Sequence, residues 1–393
     1  MVDFSLNEKD QEIITETRRR GEVIRKYARY YDEPEHEHDE IPNEFPEAKE
    51  FDHIFPMMME RAKAEGATAG TTFGILSIIH DCWGDSNLTL RLGNVGLGNA
   101  SLAAAGTDEQ KKKWGATLLA MANTEPGAGS DSKAIETSAV KDGDEYILNG
   151  EKIFVTSGVR CKGVVVWATL DKSAGRGAIK AFVVEKGTPG FELAKKEKKL
   201  GIRTSDTAAF VLKDCRVPKE NLLGLDEEIR TGGGGFKGLM KTFNLTRPGV
   251  AATGTGCVLG AFEFAEEALK KEGVEVDWEA GTHNQTATQE KLIELESQLE
   301  AAILTTLRAA WLMDTGKPNN LESAVCKVKG GDVCRSGVQI AVELLGAMGI
   351  SHDHMVEKWF RDARITDIYE GTGEINRLIT ARALLNYGSA DLM

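Results

Sequence analysis

The run Asn123-Thr124-Glu125-Pro126-Gly127-Ala128-Gly129-Ser130-Asp131 sets a proline and small residues inside a polar stretch. Pro126 fixes its own φ, and glycines at 127 and 129 permit backbone angles closed to other residues. A loop of this kind brings bare N–H groups close to a flat or anionic ligand. Downstream, Ile153-Phe154-Val155-Thr156-Ser157-Gly158 reads as a strand ending in two hydroxyls. On residue types alone a surface turn fits the first run better than a binding loop does.

Other clusters carry less chemistry. His36 and His38 flank Glu37 in a loop full of carboxylates, with no cysteine or third histidine nearby. Solvated side chains fit this better than a metal site, and no metal is expected. The cysteines at 82, 161, 215, 257, 326 and 334 lack CxxC spacing, so reduced, buried thiols are expected. Gly232-Gly233-Gly234-Gly235 is followed by Phe236, not by the Lys-Ser/Thr of a phosphate loop, and reads as a link.

The two opening runs, in this order, resemble the acyl-CoA dehydrogenase family of flavoenzymes. The resemblance continues through Gly201-Ile202-Arg203-Thr204-Ser205-Asp206-Thr207, Val217-Pro218-Lys219-Glu220-Asn221 and Thr246-Arg247-Pro248. It closes with Ile368-Tyr369-Glu370-Gly371-Thr372 and the stretch Arg377 to Arg382. The resemblance implies FAD as cofactor and α,β-dehydrogenation of an acyl-CoA thioester. A base takes the proton α to the carbonyl, and a hydride leaves the β carbon for flavin N5. Such a proton is weakly acidic, so a carboxylate over the α carbon and donors on the carbonyl oxygen are required.

Matched residue by residue, Glu370 is the expected base, and its amide also donates to the thioester carbonyl. Gly371 beside it allows a tight turn and counts with the substrate contacts. One family branch carries its base just before the arginine of the Thr246-Arg247 pair; Thr246 cannot serve, which supports Glu370. Thr124 and Ser130 match contacts to the flavin ring and pyrophosphate, and Thr156 matches a hydroxyl near N5. Phe154 stands where the family usually has tryptophan against the isoalloxazine, and Thr372 matches a further cofactor contact. Ser130 and Arg247 fall where the family meets CoA. Gln289 aligns with a glutamine that reaches the neighbouring subunit's FAD. The arginine and phenylalanine that normally precede it are replaced by Trp278 and Gly281, and Glu343 replaces a further glutamine. A carboxylate there weakens diphosphate binding, while Trp278 offers a ring to stack on adenine. Asp85, beside Trp83, aligns with the far wall of the acyl pocket; the cap of a helix starting Ser86-Asn87-Leu88 is the favoured account of it. The resemblance also implies a homotetramer and an electron-transfer flavoprotein as acceptor. An enoyl-CoA reductase and a non-catalytic subunit of the same fold stay open as alternatives.

These residues need elements to hold them. Ile13, Ile14, Thr17, Ile24 and Tyr27 recur at helical spacing, and a second apolar helix covers Phe73 to Ile79. Tyr31 to Pro46, acidic and with Pro34, Pro42 and Pro46, is a connection. Gly93 to Gly106 is rich in Gly and Ala, which suits close helix packing. The pattern then switches to strands: Tyr146–Leu148 and Lys152–Val155 around Asn149-Gly150, then Val164–Trp167, Ala181–Val184 and Ala208–Leu212. Asn149-Gly150 is the dipeptide favoured in type I′ hairpin turns, so a hairpin is predicted there. Beyond the glycine run, Val258, Leu259, Phe262, Ala265 and Leu269 form one helical stripe. Leu292, Leu295, Leu299, Ile303 and Leu307 form another, stopping near Gly316-Lys317-Pro318. The expected fold is α+β: an N-terminal helical domain (1–121), a middle β domain (122–230) and a C-terminal helical domain (231–393).

A formal net charge of -13 disfavours nucleic acid, which needs a basic stripe, and an anionic membrane surface. It leaves room for an anionic ligand such as CoA, because local residues set the field in a cleft. No apolar run in the sequence is long enough for a membrane span, and Met1 to Glu8 lacks a basic, then apolar, leader pattern. Cytoplasmic residence is the expectation.

Overall fold

The computed structural model describes residues 7–33, 36, 46–64, 66, 70–92, 95–229 and 234–387. Pro34, Glu37, His38, Pro42, Gly93, Gly232 and Gly233 lie outside the described residues, and with them most of the acidic connection and half of the glycine run. In chain order the helices before the sheet are α1 (Glu8–Asp32), α2 (Ile54–Ala64), α3 (Thr71–Leu92), α4 (Leu97–Ala105) and α5 (Asp108–Trp114). The strands are β1 (Leu119–Ala122), β2 (Ser138–Asp142), β3 (Glu145–Thr156), β4 (Gly163–Thr169), β5 (Ile179–Glu185), β6 (Phe191–Lys196) and β7 (Thr207–Pro218). After them come α6 (Gly234–Lys271), α7 (Ala287–Asp314), α8 (Asn320–Leu345), α9 (Ala347–Ile350), α10 (Val356–Ala363) and α11 (Gly373–Leu384).

The chain divides into two compact units, one of Met1–Leu92, Leu200–Thr204 and Arg247–Met393, the other of Gly93–Lys199 and Ser205–Thr246. The helices expected at the two ends of the chain thus share one unit. The sheet takes α4 and α5, along with the start of α6, into the other.

In the helical unit α1 opens with a capping box: the Asp10 amide donates to Asn7 Oδ1 and the Asn7 amide to Asp10 Oδ2, both at 3.1 Å. Ile13, Thr17 and Ile24 are buried as their spacing predicts. Gly21 and Gly84 let α1 and α3 approach closely; a Cβ on Gly84 would stand 2.2 Å from the Gly21 carbonyl oxygen. Val258, Phe262 and Ala265 of α6 pack with Leu292, Leu295 and Leu299 of α7, Val333 and Val338 of α8 and Trp359 of α10. Each such fully buried leucine contributes about 1.5–3 kcal/mol. Leu307 belongs to a neighbouring cluster with Ile13, Ile54 and Ile79. The α7 helix ends at Asp314, two residues short of Gly316.

In the sheet unit the strand order is β1-β4-β2-β3-β7-β6, with β5 pairing β4 antiparallel on its other side. The β4 strand is buried throughout because both of its faces are covered. Val164, Val166 and Ala168 face a core with Tyr146, Leu148, Phe182 and Phe210. Val165 and Trp167 face one with Leu102, Trp114, Leu239 and Phe243 from the flanking helices. The Gly/Ala-rich segment packs as anticipated: a Cβ on Gly98 would meet the Ala120 carbonyl oxygen at 2.3 Å.

The hairpin predicted at Asn149-Gly150 is not there. Both residues lie inside β3, which runs unbroken from Glu145 to Thr156. The β2–β3 turn is Gly143-Asp144, with Asp142 paired to Glu145 and Gly143 at φ +63°. Glycine at the first central position is the demand of a type II′ turn. Gly150 instead marks an irregularity in the β3–β7 ladder, where Thr137 comes so close that a Cβ would stand 2.4 Å from its Oγ1.

Candidate active site

In the sheet unit the loop after β1 closes on itself. The Glu125 amide donates to the Ala128 carbonyl at 3.0 Å, and the Ala128 amide donates back at 3.1 Å. Neither Gly127 nor Gly129 has positive φ, contrary to the conformational role expected of them. A Cβ on either would meet nothing within 4 Å, so the outer side of the loop is bare. Its inner side rests on a buried ion pair that sequence reasoning missed. Lys152 Nζ lies 2.6 Å from Glu125 Oε1 and 3.1 Å from the Asn123 carbonyl oxygen. Glu125 also accepts the amides of Glu136 (2.5 Å) and Thr137 (3.0 Å). Burial pushes the Lys152 ammonium down to about 8 despite the pull of Glu125. Burial works to raise Glu125, but Lys152 and the amide donors outweigh it and hold the carboxyl below its usual value.

Lys152 and the Ile153 amide, which donates to the Thr124 carbonyl at 2.9 Å, bring the loop beside the end of β3. Thr124, Phe154 and Thr156 thereby fall in one neighbourhood, with Ser130 exposed on the loop. The ladder slips between Lys152 and Val155, and within the slip Phe154 takes φ +55°. An L-residue in that region costs about 1–2 kcal/mol. The conformation leaves the phenyl ring 60% exposed. A strained backbone that turns an aromatic ring outward gains nothing for packing, and such strain concentrates at ligand sites.

In the helical unit the turn before α11 carries Glu370 at φ +58° and Gly371 at φ +90°. Glu370 is buried. Three side chains from separate places hold the turn. Arg247 Nε of α6 donates to the Glu370 carbonyl (3.3 Å), and Lys327 Nζ of α8 donates to the Gly371 carbonyl (3.1 Å). Asn376 Nδ2 of α11 donates to the Gly371 and Thr372 carbonyls (2.8 and 3.0 Å). Thr372 caps α11, its hydroxyl accepting the Ile375 amide at 3.4 Å. Burial lowers Arg247 against the pull of Glu370. Thr246 donates its hydroxyl to the Thr242 carbonyl within α6, at 3.2 Å. Lys327 and Asn376 escaped the sequence reading. The available signal was Lys327 in register with Ser323, Gly330, Cys334 and Val338, a lone charge on an otherwise small and apolar buried stripe.

The remaining candidates are placed elsewhere. Asp85 is fully buried at a break in α3 (φ -163°), where it accepts the Leu88 amide at 2.8 Å and pairs with Lys358. Both carboxylate oxygens have partners inside the helical unit, so the substrate-wall role is withdrawn for Asp85 in favour of the cap. Gln289 forms the capping box of α7, its Oε1 accepting the Thr286 amide at 2.8 Å while Nε2 donates to the Glu275 carbonyl at 2.6 Å. Glu343 accepts from Lys291 (3.0 Å) and Gln339 (3.1 Å). Trp278 is exposed. All six cysteines are buried and free. Among the described residues no helix is long and apolar enough to cross a membrane.

Comparison with known proteins agrees with this architecture. Residues 120–215 match the family model of the acyl-CoA dehydrogenase middle domain, and residues 233–385 that of the acyl-CoA dehydrogenase C-terminal domain. The chain is 33% identical to an acryloyl-CoA reductase (NADH) of Anaerotignum propionicum, over 93% of this chain and 95% of that protein. It is 40% identical to a short-chain-specific acyl-CoA dehydrogenase of Megasphaera elsdenii, over 71% of this chain and 73% of that one. The solved butyryl-CoA dehydrogenase of Megasphaera elsdenii superposes with a TM-score of 0.80 at 32% identity, over 98% of this chain and 100% of that chain. This chain belongs to the acyl-CoA dehydrogenase family.

Proposed function

We propose that the protein is an FAD-dependent acyl-CoA dehydrogenase acting on short acyl thioesters, with Glu370 as the base. The observation that carries this is the left-handed Glu370-Gly371 turn, a buried carboxylate on a backbone fixed by Arg247, Lys327 and Asn376. A carboxylate withdrawn from water and fixed in place suits proton removal from a weak carbon acid. Glu370 takes the α proton, and its own amide donates to the thioester carbonyl oxygen, where negative charge develops. Arg247 holds the carbonyl of the same residue, in the next peptide unit.

Residues of the sheet unit fit a flavin. The bare outer side of the Gly127–Gly129 loop admits a flat ligand, the outward-turned Phe154 offers a stacking face, and Thr124, Ser130 and Thr156 supply polar contacts. Among the described residues the buried Asn123 Oδ1 has no donor, and it fits a ligand N–H or a water at this loop. Thr372 is a further cofactor contact in this proposal. Bound FAD supplies the two-electron acceptor for the hydride that leaves the β carbon. Trp278 is an exposed aromatic ring of its segment, while Gln289 and Glu343 shape that end of α7 and α8 through their caps and pairs. An electron-transfer flavoprotein is the acceptor we propose. A homotetramer is favoured by the apolar side chains exposed on and after α11: Leu378, Leu384, Leu385 and Tyr387.

Glu370→Gln tests the assignment. The variant is expected to keep its fold and its flavin, and to bleach that flavin with substrate about 10²–10⁴-fold more slowly than wild type under anaerobic conditions. Bleaching near the wild-type rate overturns Glu370 as base. The acryloyl-CoA reductase that matches most of the chain favours a second reading, the same site working toward the saturated thioester. Mixing reduced enzyme with a short enoyl-CoA, and oxidised enzyme with the saturated ester, separates the two by rate.

A further inference from the structure

Lys327 is a buried cation that no step of the proposed reaction uses. It stands near the start of α8, fully buried, and among the described residues its ammonium donates to the Gly371 carbonyl at 3.1 Å. Asn376 donates to the same oxygen at 2.8 Å. Two donors therefore converge on the carbonyl directly after the left-handed Glu370, from a helix preceding the turn and from one following it. A neutral amide there would suffice to satisfy one carbonyl. Burying an ammonium for the same task is costly unless the charge itself is used.

We infer that Lys327 is a positioning residue for Glu370: it pins the Gly371 carbonyl, fixes the left-handed turn, and so sets where the Glu370 amide and carboxylate stand. The inference rests on the reading of Glu370 as the base. The groups facing the ammonium are Asp367 before the turn, Glu370 in it, Arg247 of α6 and Cys334 two turns further along α8. Burial pushes Lys327 down to about 8; Asp367 and Glu370 pull upward, and Arg247 pushes downward. The proton therefore leaves Lys327 within the range where such an enzyme is readily assayed. Above it the neutral amine still reaches Gly371 but grips it more weakly, because a charged donor makes the stronger hydrogen bond.

Lys327→Met, which keeps length and removes the donor, tests this alongside Asn376→Ala in the FAD-loaded protein. For Lys327→Met the limiting rate of flavin reduction by substrate is expected to fall about 10- to 100-fold through misplacement of the base. The half-saturating substrate concentration and the urea midpoint should stay near wild type, the latter because a desolvated ammonium has gone. Wild-type flavin reduction is expected to fall as pH rises past about 8, and the variant's profile should lack that limb. Amide exchange at Gly371 and Gly373 should quicken in the variant without substrate present. A wild-type reduction rate in Lys327→Met, or retention of the limb, overturns the inference. If Lys327→Met does not fold, Asn376→Ala and the wild-type profile decide: a wild-type rate in the first, or no limb in the second, overturns it. Full activity in Glu370→Gln would sink the parent reading as well, whereas an inactive Glu370→Gln beside a fully active Lys327→Met sinks this inference alone.

Discussion

Removing the carboxylate of Glu125 should loosen the binding loop of the sheet unit, by an amount the structure bounds. Two losses follow from Glu125→Ala. One falls on Lys152, whose ammonium is fully buried and keeps just the Asn123 carbonyl. It titrates near 8 with Glu125 beside it, so at pH 7 it can shed its proton for roughly 1 kcal/mol. Deprotonation is the cheaper exit for the stranded charge, so the lysine share is of this order. The other loss falls on the amides of Glu136 and Thr137, which Glu125 accepts at 2.5 and 3.0 Å. Leaving the buried Thr137 N–H unpaired costs about 1–3 kcal/mol, and the Glu136 N–H, on an exposed residue, costs less because water reaches it. Together with the lysine share, the alanine variant should therefore lose about 2–5 kcal/mol, overlapping the cost of breaking a buried ion pair. Glu125→Gln keeps one acceptor oxygen, for the Thr137 amide, and loses the one that takes the Glu136 amide, so it should lose about 1–2 kcal/mol, most of it the lysine share.

The sign with pH separates the two shares. The folded-state pKa of Lys152 is depressed from the lysine norm, so wild type carries that proton at pH 7 and has shed it by about pH 9. The cost of Glu125→Gln should be largest at pH 7 and shrink toward pH 9, while that of Glu125→Ala retains its amide share throughout. Urea unfolding of the flavin-free proteins at both pH values, followed by far-UV dichroism, supplies the free energies, and flavin retention on dilution reports the loop. A Glu125→Ala variant within 1 kcal/mol of wild type would refute the assignment of the pair as the loop's support. A Glu125→Gln cost independent of pH would refute the share assigned to Lys152.

Gly371→Ala should slow flavin reduction while leaving the two units folded. An L-residue at φ +90° costs about 1–2 kcal/mol, and its Cβ would stand 3.0 Å from Asn376 Nδ2 and shift that donor; an unchanged reduction rate counts against the turn as the site of chemistry. Phe154→Gly should leave the flavin-free protein as stable as wild type or up to about 1 kcal/mol more stable, because it relieves left-handed strain at an exposed ring, yet weaken flavin retention. Retention equal to wild type would show that the ring does not meet the cofactor. Asp85→Asn keeps the cap to Leu88 and leaves Lys358 its bond to Asp362 at 2.6 Å, so a loss of about 2 kcal/mol is expected, with no change in the ranking of straight, branched and cyclic acyl thioesters. A changed ranking would restore Asp85 to the acyl pocket.

The motifs were legible because they are short and local, and periodicity gave the helices because a stripe such as Leu292-Leu295-Leu299 has no second explanation. What failed was what depends on partners distant in sequence. Asn149-Gly150 carries the strongest local hairpin signal in its region, yet the pairing of Glu145 with both Asp142 and Pro218 extends β3 through it. Ladder hydrogen bonds to β7 outweigh a turn preference worth a fraction of them. The short strands β1 and β6 lacked alternation, β1 because it is buried throughout and β6 because all but its ends are exposed. Asp85 was ambiguous for a related reason. The cap could be read from Ser86-Asn87-Leu88, whereas Lys358 lies 273 residues away and leaves no trace in the local pattern.

The same gap explains a misplaced burden at the site itself. Glycine was expected to carry the unusual backbone of the binding loop, yet Gly127 and Gly129 are unstrained, and the left-handed positions fall on Phe154 and Glu370, with Gly371 alone meeting the expectation. An aromatic or acidic residue persists at positive φ when surrounding hydrogen bonds offset about 1–2 kcal/mol of local cost. At Glu370 those bonds come from Arg247, Lys327 and Asn376, of which two are charged and worth about 1.5–3 kcal/mol each. At Phe154 they come from the residues just before it, Lys152 on Asn123 and Ile153 on Thr124. Lys152 and Lys327 thus do one job in the two units: each is a buried cation gripping backbone next to a strained residue whose side chain must be presented rather than packed. A glycine at either position would remove the strain and, with it, the side chain that the turn exists to present.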